Sequence, residues 1–216
     1  MIHIYYHIYA INGVESIIDE QLSLIEKHFD FRYILNVGIS IANENISTSN
    51  ILEKLTKPNY IIRDIRTNGS EWITLDLIEK DKQKFGDTDY ILYIHTKGAS
   101  KLNDINYIKL ENWRYLMNYF NIEKVKNVFK LFEKTEFNTY GVNYITSNNR
   151  LHYSGNFWWM RSDYAKTINV ENVDKSNRYM AELGYLRNGV NWKPYSAFDP
   201  DLNLYLSEIK REQYAI

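Results

Sequence analysis

The segment Asp89–Gly98 limits the possible folds of this chain more than any other stretch, because an apolar strand runs directly into a polar tripeptide. Residues 90–94 (Tyr-Ile-Leu-Tyr-Ile) are typical of a central strand that is covered on both faces. His95, Thr96 and Lys97 follow where that strand would end. Ligands of open α/β sheets bind beyond the carboxyl ends of the strands, so the segment predicts a site for an anion such as a diphosphate. The alternative is a solvated Lys97 and a locally packed His95.

Strands and helices alternate over the first hundred residues, which predicts βαβ units and a mainly parallel sheet flanked by helices. The predicted strands are 2–10, 31–37, 59–65 and 90–94, and the predicted helices are 14–28 and 70–85. The second half predicts helices at 107–120, 122–134 and 176–186 and strands at 137–145 and 152–160. No linker or repeat interrupts the chain, so we predict one α/β domain over residues 1–216.

The composition argues against several classes of protein. The 216 residues carry a formal net charge of -1, which does not suit a nucleic-acid-binding face. There is no cysteine, so disulfides and thiolate metal sites are excluded. We expect no membrane span, because no run approaches roughly 20 apolar residues. The N-terminus lacks the basic leader of a secretory signal, so we expect a cytoplasmic protein.

Two short motifs stand in a fixed order: His95-Thr96-Lys97-Gly98 and, later, Gly155-Asn156-Phe157-Trp158-Trp159. With the strand order, they resemble GT-A-fold nucleotide-sugar glycosyltransferases, in particular those of large DNA viruses and bacterial rhamnan-synthesis-type proteins. The resemblance covers roughly residues 2–190. It implies a single GT-A-like (Rossmann-like) domain, with 1–100 as the nucleotide-binding half and 101–216 as the acceptor-side half.

The implied reaction moves a hexosyl or deoxyhexosyl group from a nucleoside-diphosphate sugar, with a UDP-sugar favoured, to a glycan acceptor. A viral member would act in the host cytoplasm. Two alternatives remain open at this point. One is a non-catalytic protein of the same fold that binds a nucleotide or a glycan, and the other is a nucleotidyl- or phosphate-transfer enzyme. The sequence does not decide between inversion and retention.

Metal dependence is also open. Metal-dependent relatives hold Mn²⁺ or Mg²⁺ with an Asp-x-Asp motif, and His95-Thr96-Lys97 occupies that position here. Lys97 can supply positive charge directly, while His95 can supply a hydrogen bond or act as a metal ligand with a distant carboxylate. Asp87-Thr88-Asp89 matches Asp-x-Asp as a string, but it precedes the strand and should lie at the opposite edge of the sheet.

The resemblance also implies roles for individual residues. Glu182 is the candidate base that deprotonates the acceptor hydroxyl, and Asp163 is a weaker alternative that can instead cap a helix. For the sugar or acceptor, the candidates are Gly155, Asn156, Trp158 and His152. If the aromatic segment is a strand, Trp158 and Trp159 point to opposite faces, so at most one faces a cleft.

Nucleotide-binding candidates lie where the first, third and fourth strands end, because these ends share one edge of a parallel sheet. Asp64 can accept a hydrogen bond from a base or ribose, and Arg66 can approach a phosphate. The full set is Tyr9, Ala10, Asn12, Asp64, Arg66, His95, Thr96 and Lys97.

Overall fold

The computed structural model describes residues 1–147, 150–200 and 202–215, which form a seven-stranded sheet between helices and a separate two-stranded ribbon. The strands are β1 (Ile2–Ala10), β2 (Tyr33–Ile41), β3 (Tyr60–Thr67), β4 (Tyr90–His95), β5 (Thr139–Gly141), β6 (Tyr144–Ile145), β7 (His152–Tyr153), β8 (Trp158–Arg161) and β9 (Pro194–Ser196). The α-helices are α1 (Glu15–His28), α2 (Ser49–Lys54), α3 (Trp72–Asp81), α4 (Tyr107–Asn118), α5 (Val125–Lys134), α6 (Ser162–Ala165) and α7 (Met180–Gly184).

The large sheet has the strand order β3-β2-β1-β4-β8-β5-β9. The first four of these strands are mutually parallel, and β8 enters antiparallel to β4 and β5. The predicted α/β class with a mainly parallel sheet is therefore confirmed. Since Tyr93 pairs with Trp158, the start of β8 lies beside the end of β4.

Alternation along the strands fills a core on each face of the sheet. On one face, Ile4 and Ile8 pack with residues of α1, α4 and α5; on the other, Tyr5 and Tyr93 pack with α3. Each fully buried side chain of this size contributes roughly 1.5 to 3 kcal/mol. Among the described residues, no helix combines the length and apolar character that crossing a membrane requires.

Two predicted strands are broken by residues with positive φ, a backbone conformation that costs an L-residue conformational energy and disrupts a ladder. The strand predicted at 137–145 is interrupted at Asn143 (φ 53°) and gives β5 and β6. The strand predicted at 152–160 was wrong as one element, because Gly155 (φ 98°) and Asn156 (φ 58°) form a turn between β7 and β8. The predicted helix at 176–186 contracts to α7, and β2 extends to Ile41.

Candidate functional site

The Gly155–Asn156 turn joins side chains from distant parts of the chain at the carboxyl end of β4. His95 Nε2 donates a hydrogen bond to the Gly155 carbonyl oxygen at 2.9 Å. The Asn156 amide donates to Glu71 Oε2 at 2.6 Å and accepts from Trp158 Nε1 at 2.8 Å. The antiparallel entry of β8 makes this possible, because it starts where β4 ends.

Glu71 was missed by the sequence analysis. It lies immediately before α3, and its Oε2 also accepts the Tyr93 hydroxyl at 2.7 Å. Burial opposes its ionisation, yet the neighbouring histidines and the hydrogen bonds from Tyr93 and Asn156 hold its pKa below the usual value. The sequence did contain one indication of Glu71: an acidic residue lies at the start of the helix that follows the third strand, at the edge where ligands bind.

Glu182 reaches the same turn from α7. Its Oε1 accepts the Gly155 backbone N–H at 2.6 Å and lies 3.9 Å from His152 Nε2. His152 is buried and donates from Nδ1 to the Arg150 carbonyl oxygen at 2.8 Å. The structure therefore brings three of the four predicted sugar or acceptor residues, Gly155, Asn156 and His152, together with the candidate base Glu182.

The imidazoles near the turn lie in poorly solvated surroundings. His7 lies between Thr74 Oγ1 at 3.0 Å and Ser40 Oγ at 3.1 Å, and burial lowers its pKa to about 4. Burial also lowers the pKa of His95. Both rings are thus neutral at pH 7, so their contacts with neighbouring groups are hydrogen bonds and not ion pairs.

Lys97 has a different environment from its neighbours in the motif. Its Nζ lies 4.0 Å from the centroid of the Trp113 ring and 5.4 Å from that of Tyr205. Within the described part of the chain, no carboxylate lies within 4 Å of this amine. The Lys97 carbonyl oxygen accepts Arg114 Nη1 at 3.0 Å, which fixes the backbone. The charge of Lys97 is therefore held against aromatic faces and is not neutralised by an acid.

The end of β1 contributes less than predicted. Thr96 is buried and its Oγ1 accepts the Tyr9 backbone N–H at 2.9 Å, so it ties β4 to β1. Ala10 is fully buried, and its carbonyl oxygen accepts the Ala42 N–H at 3.0 Å. Both are structural positions, which corrects the prediction of a nucleotide contact. Tyr9 is partly exposed and Asn12 is exposed beside them.

Asp64 and Arg66 lie on β3, where they form an ion pair with each other at 2.5 Å. Arg66 is exposed. Three strand spacings separate β3 from β4, a distance of roughly 14 Å at about 4.8 Å per strand. These two residues therefore lie on the same edge as His95, but outside the cluster at the turn.

Two predicted site residues lie elsewhere. Asp163 follows the far end of β8, pairs with Arg161 at 3.0 Å and is 55% exposed. The antiparallel direction of β8 places it near Tyr90, at the start of β4, so the structure does not support it as a base. Trp158 is 1% exposed and stacks on Tyr93 with centroids 5.0 Å apart, so it supports Asn156 from the core and does not face a ligand. Trp159 is also buried.

The residues at the Asp-x-Asp position do not fit a resident divalent cation. His95 uses Nε2 for the Gly155 carbonyl, and Lys97 brings a positive charge where a metal ligand would be needed. The described residues contain no group of three or more acidic or histidine side chains with metal-binding geometry. As expected from its position, Asp87-Thr88-Asp89 lies at the opposite edge, where Asp89 accepts from His3 at 3.0 Å.

A surface cavity of about 730 Å³ lies away from this cluster, along the carboxyl-terminal part of α3 and the segment that follows α6. Glu79 pairs with Lys82 at 2.8 Å, and Lys175 pairs with Asp76 at 2.6 Å. Most of the cavity's described charged residues are thus already held in ion pairs.

A family model described as a domain of unknown function (DUF8361) matches residues 4–188. That range includes His95, Lys97, the Gly155–Asn156 turn and Glu182. No curated protein matches the chain.

Proposed function

We propose that this chain, which belongs to the family of the domain of unknown function DUF8361, is a glycosyltransferase with a GT-A-like fold. It would move a sugar from a nucleoside-diphosphate sugar, with a UDP-sugar favoured, to a glycan acceptor. One observation carries the proposal: the Gly155–Asn156 turn holds His95, Glu71 and Glu182 together at the carboxyl end of the sheet. That edge is where open α/β sheets bind ligands.

The leaving diphosphate needs positive charge, and Lys97 is the group best suited to supply it. Its ammonium is not paired with a described carboxylate and lies over the Trp113 ring. A lysine binds phosphate as a point charge and forms charge-assisted hydrogen bonds with its oxygens. Arg178 adds a second cation near this end of the sheet: it bonds the Tyr179 hydroxyl, and Tyr9 and Tyr205 are close enough to help raise its pKa.

The nucleoside would lie along the edge formed by the ends of β1, β2 and β3. Tyr9 and Asn12 are accessible where β1 ends. Asp64 and Arg66, roughly 14 Å from β4, are within the span of a nucleotide whose diphosphate contacts Lys97. Asp64 would accept a hydrogen bond from the ribose or base.

Glu182 is the proposed base. Oε1 is held by the Gly155 N–H, and Oε2 has no hydrogen-bond partner among the described residues. In the transfer step, the acceptor hydroxyl gives its proton to Glu182 while its oxygen bonds to the anomeric carbon. The bond from that carbon to the phosphate oxygen breaks, and its electron pair leaves with the nucleoside diphosphate. Lys97 stabilises the negative charge that develops there.

A second candidate function is binding without transfer. The replacement of Asp-x-Asp by His95-Thr96-Lys97 favours it, since the metal that usually neutralises the leaving group has no fitting donor set among the residues that the structure describes. The two functions differ in turnover, because only the transferase releases free nucleoside diphosphate.

The proposal is tested by calorimetric titration with UDP, GDP and dTDP, each with and without Mn²⁺. We expect saturable binding of one nucleotide and little change with the metal, because Lys97 takes the cation's place. An increase in affinity of about tenfold or more with Mn²⁺ would show that a metal is recruited. Binding of none of the three by the folded protein would contradict the proposal. Release of nucleoside diphosphate from the matching sugar donor then separates transfer from binding.

A further inference from the structure

The His95 side chain has a fixed hydrogen-bond polarity. Its Nε2 lies 2.9 Å from the Gly155 carbonyl oxygen, and a carbonyl oxygen only accepts, so Nε2 carries the proton. Burial keeps the pKa of His95 below the usual value, so the ring is neutral at pH 7. Nδ1 then retains a lone pair. No described group donates a hydrogen bond to Nδ1, and the atom is not sealed in the core.

Glu71 offers a second acceptor beside it. Its Oε2 is saturated by the Tyr93 hydroxyl at 2.7 Å and the Asn156 amide at 2.6 Å. Its Oε1 has no hydrogen-bond partner among the described residues and is likewise not sealed. Glu71 and His95 are both hydrogen-bonded to the same turn, and each is close enough to shift the pKa of the other.

We infer that Glu71 Oε1 and His95 Nδ1 form the subsite for the transferred sugar, where they accept hydrogen bonds from two of its hydroxyl groups. This inference rests on the proposed function. It moves His95 from the diphosphate to the sugar, and it leaves Lys97 with the diphosphate. A carboxylate beside a neutral acceptor repels a phosphate, whereas both atoms match O–H donors.

The subsite also defines a class of sugar. Two acceptors, one of them ionised, suit a neutral sugar with free hydroxyl groups. A uronic acid would bring a second carboxylate close to Glu71, and two like charges without a counterion disfavour binding. The donor is therefore a neutral hexose or deoxyhexose.

The polarity of His95 can be measured before any ligand is known. Long-range ¹H–¹⁵N NMR spectra distinguish protonated from unprotonated ring nitrogens, and His95→Asn assigns the resonance. We expect a proton on Nε2 and none on Nδ1. His152 is an internal reference, because it donates from Nδ1 to the Arg150 carbonyl oxygen. A His95 ring protonated at Nδ1 would overturn the inference.

The sugar response uses D-glucose, D-galactose and L-rhamnose at about 100 mM, because single sugars bind in the millimolar range. At least one of them should move the Nδ1 resonance of His95, and D-glucuronate should not. In Glu71→Gln we expect about tenfold weaker binding. Glu79→Gln is the matched control, since Glu79 lies on α3 and also accepts a tyrosine hydroxyl, from Tyr185 at 2.9 Å. No response to any neutral sugar, or an equal response to glucuronate, would refute the subsite.

Titration of the same samples with UDP, GDP and dTDP separates the two proposals. Nucleotide binding without a sugar response refutes the sugar subsite and leaves the glycosyltransferase proposal standing. A sugar response without nucleotide binding supports the subsite and refutes the glycosyltransferase. Glu71→Gln should leave the affinity for the bare nucleotide within about twofold, because the diphosphate does not contact Glu71.

Discussion

Similar charged side chains lie at the amino and carboxyl edges of the parallel strands, but they have different partners at the two edges. At the amino edge, carboxylates are matched with cationic side chains or other donors. Asp87 pairs with Lys166 at 2.9 Å, and Asp163 pairs with Arg161 at 3.0 Å. Asp89 accepts from His3 and from the Gly86 N–H at 2.8 Å. These contacts neutralise the charges locally.

Around the Gly155–Asn156 turn, at the carboxyl edge, the charged groups are held by neutral partners, whereas Asp64 and Arg66 farther along that edge pair with each other. Glu71 is bound by a phenol and an amide, Glu182 by a backbone N–H, and Lys97 by aromatic rings. Such contacts fix the position of a charge without cancelling it. The difference shows why an Asp-x-Asp string at one edge is structural, while a motif without any acid at the other edge is the candidate site.

The largest effect is expected from removing the proposed base. Glu182→Gln keeps an oxygen for the Gly155 N–H but lowers basicity, so turnover should fall by about 10² to 10⁴. Nucleotide affinity should not change. The measurement is release of nucleoside diphosphate in the presence of an acceptor. Asp163→Asn, at the amino edge, is the control and should retain activity within about twofold. Normal turnover in Glu182→Gln would mean that Glu182 is not the base.

Gly155→Ala should destabilise the fold by about 3 kcal/mol. A left-handed alanine costs roughly 1 to 2 kcal/mol and overpacking roughly 1 to 3 kcal/mol. The new Cβ would lie 2.4 Å from Met117 Sδ and 3.0 Å from Trp113 Nε1. At the amino edge, Gly86→Ala meets Asp89 Oδ1 only at 3.3 Å, without a positive φ, and should cost less than about 1 kcal/mol. Urea unfolding measures the free energy of unfolding of both variants. Equal losses in the two variants would contradict the predicted difference between the edges.

Stability should depend on pH through His7. Its folded pKa of about 4 lies below the ordinary 6.5, so the unfolded chain binds the extra proton between these values. The contribution is present above pH 6.5 and is lost as pH falls toward 4, by roughly 3 kcal/mol in total. Glu71 and His95, which face His7, are unchanged in the variant His7→Gln. We expect that variant to lose most of this slope and His3→Gln to keep it. Parallel unfolding curves for His7→Gln and the unmodified protein would contradict the prediction.

The smallest of the four effects concerns Lys97. A charge-assisted hydrogen bond to phosphate contributes roughly 1.5 to 3 kcal/mol, so Lys97→Ala should weaken binding of the nucleoside diphosphate by about 10- to 100-fold. Lys166→Ala removes a lysine that is already paired with Asp87 and should leave the affinity unchanged. Calorimetry measures both. If the two variants behave alike, the unpaired state of Lys97 has no functional meaning.

The sequence was sufficient to predict the parallel half of the sheet. Continuous apolar strands such as 90–94 and helical spacing such as 14–28 depend on local periodicity, and β1, β4 and α1 match the prediction closely. The segment 152–160 was misread because its aromatic residues hide the break at Gly155–Asn156. Alternation gives no sign of positive φ, although the Gly-Asn pair is itself a turn signal.

Part of the cluster was predictable from the sequence: strand ends that meet at one edge gave Lys97 and His95, and the resemblance to glycosyltransferases gave the Gly155–Asn156 motif. Glu71 was missed, because its place in the cluster depends on hydrogen bonds to Tyr93 and Asn156, which lie 22 and 85 residues away in the sequence. Asp163 was misplaced for a related reason. Its position depends on the direction in which β8 enters the sheet, and that direction follows from pairing with β4, not from the local sequence.

The late position of the Gly155–Asn156 turn has a consequence for biosynthesis. A nascent chain released from the ribosome only as far as β4 already contains the four strands that pair in parallel, together with His95 and Glu71. It lacks the Gly155–Asn156 turn that binds His95 and Glu71, and Glu182 emerges later still. Ligand binding would thus begin abruptly, only after residues 155–182 had been synthesised and β8 had paired with β4. In a series of chains truncated at successive lengths, the onset of ligand binding would therefore report completed folding of the domain.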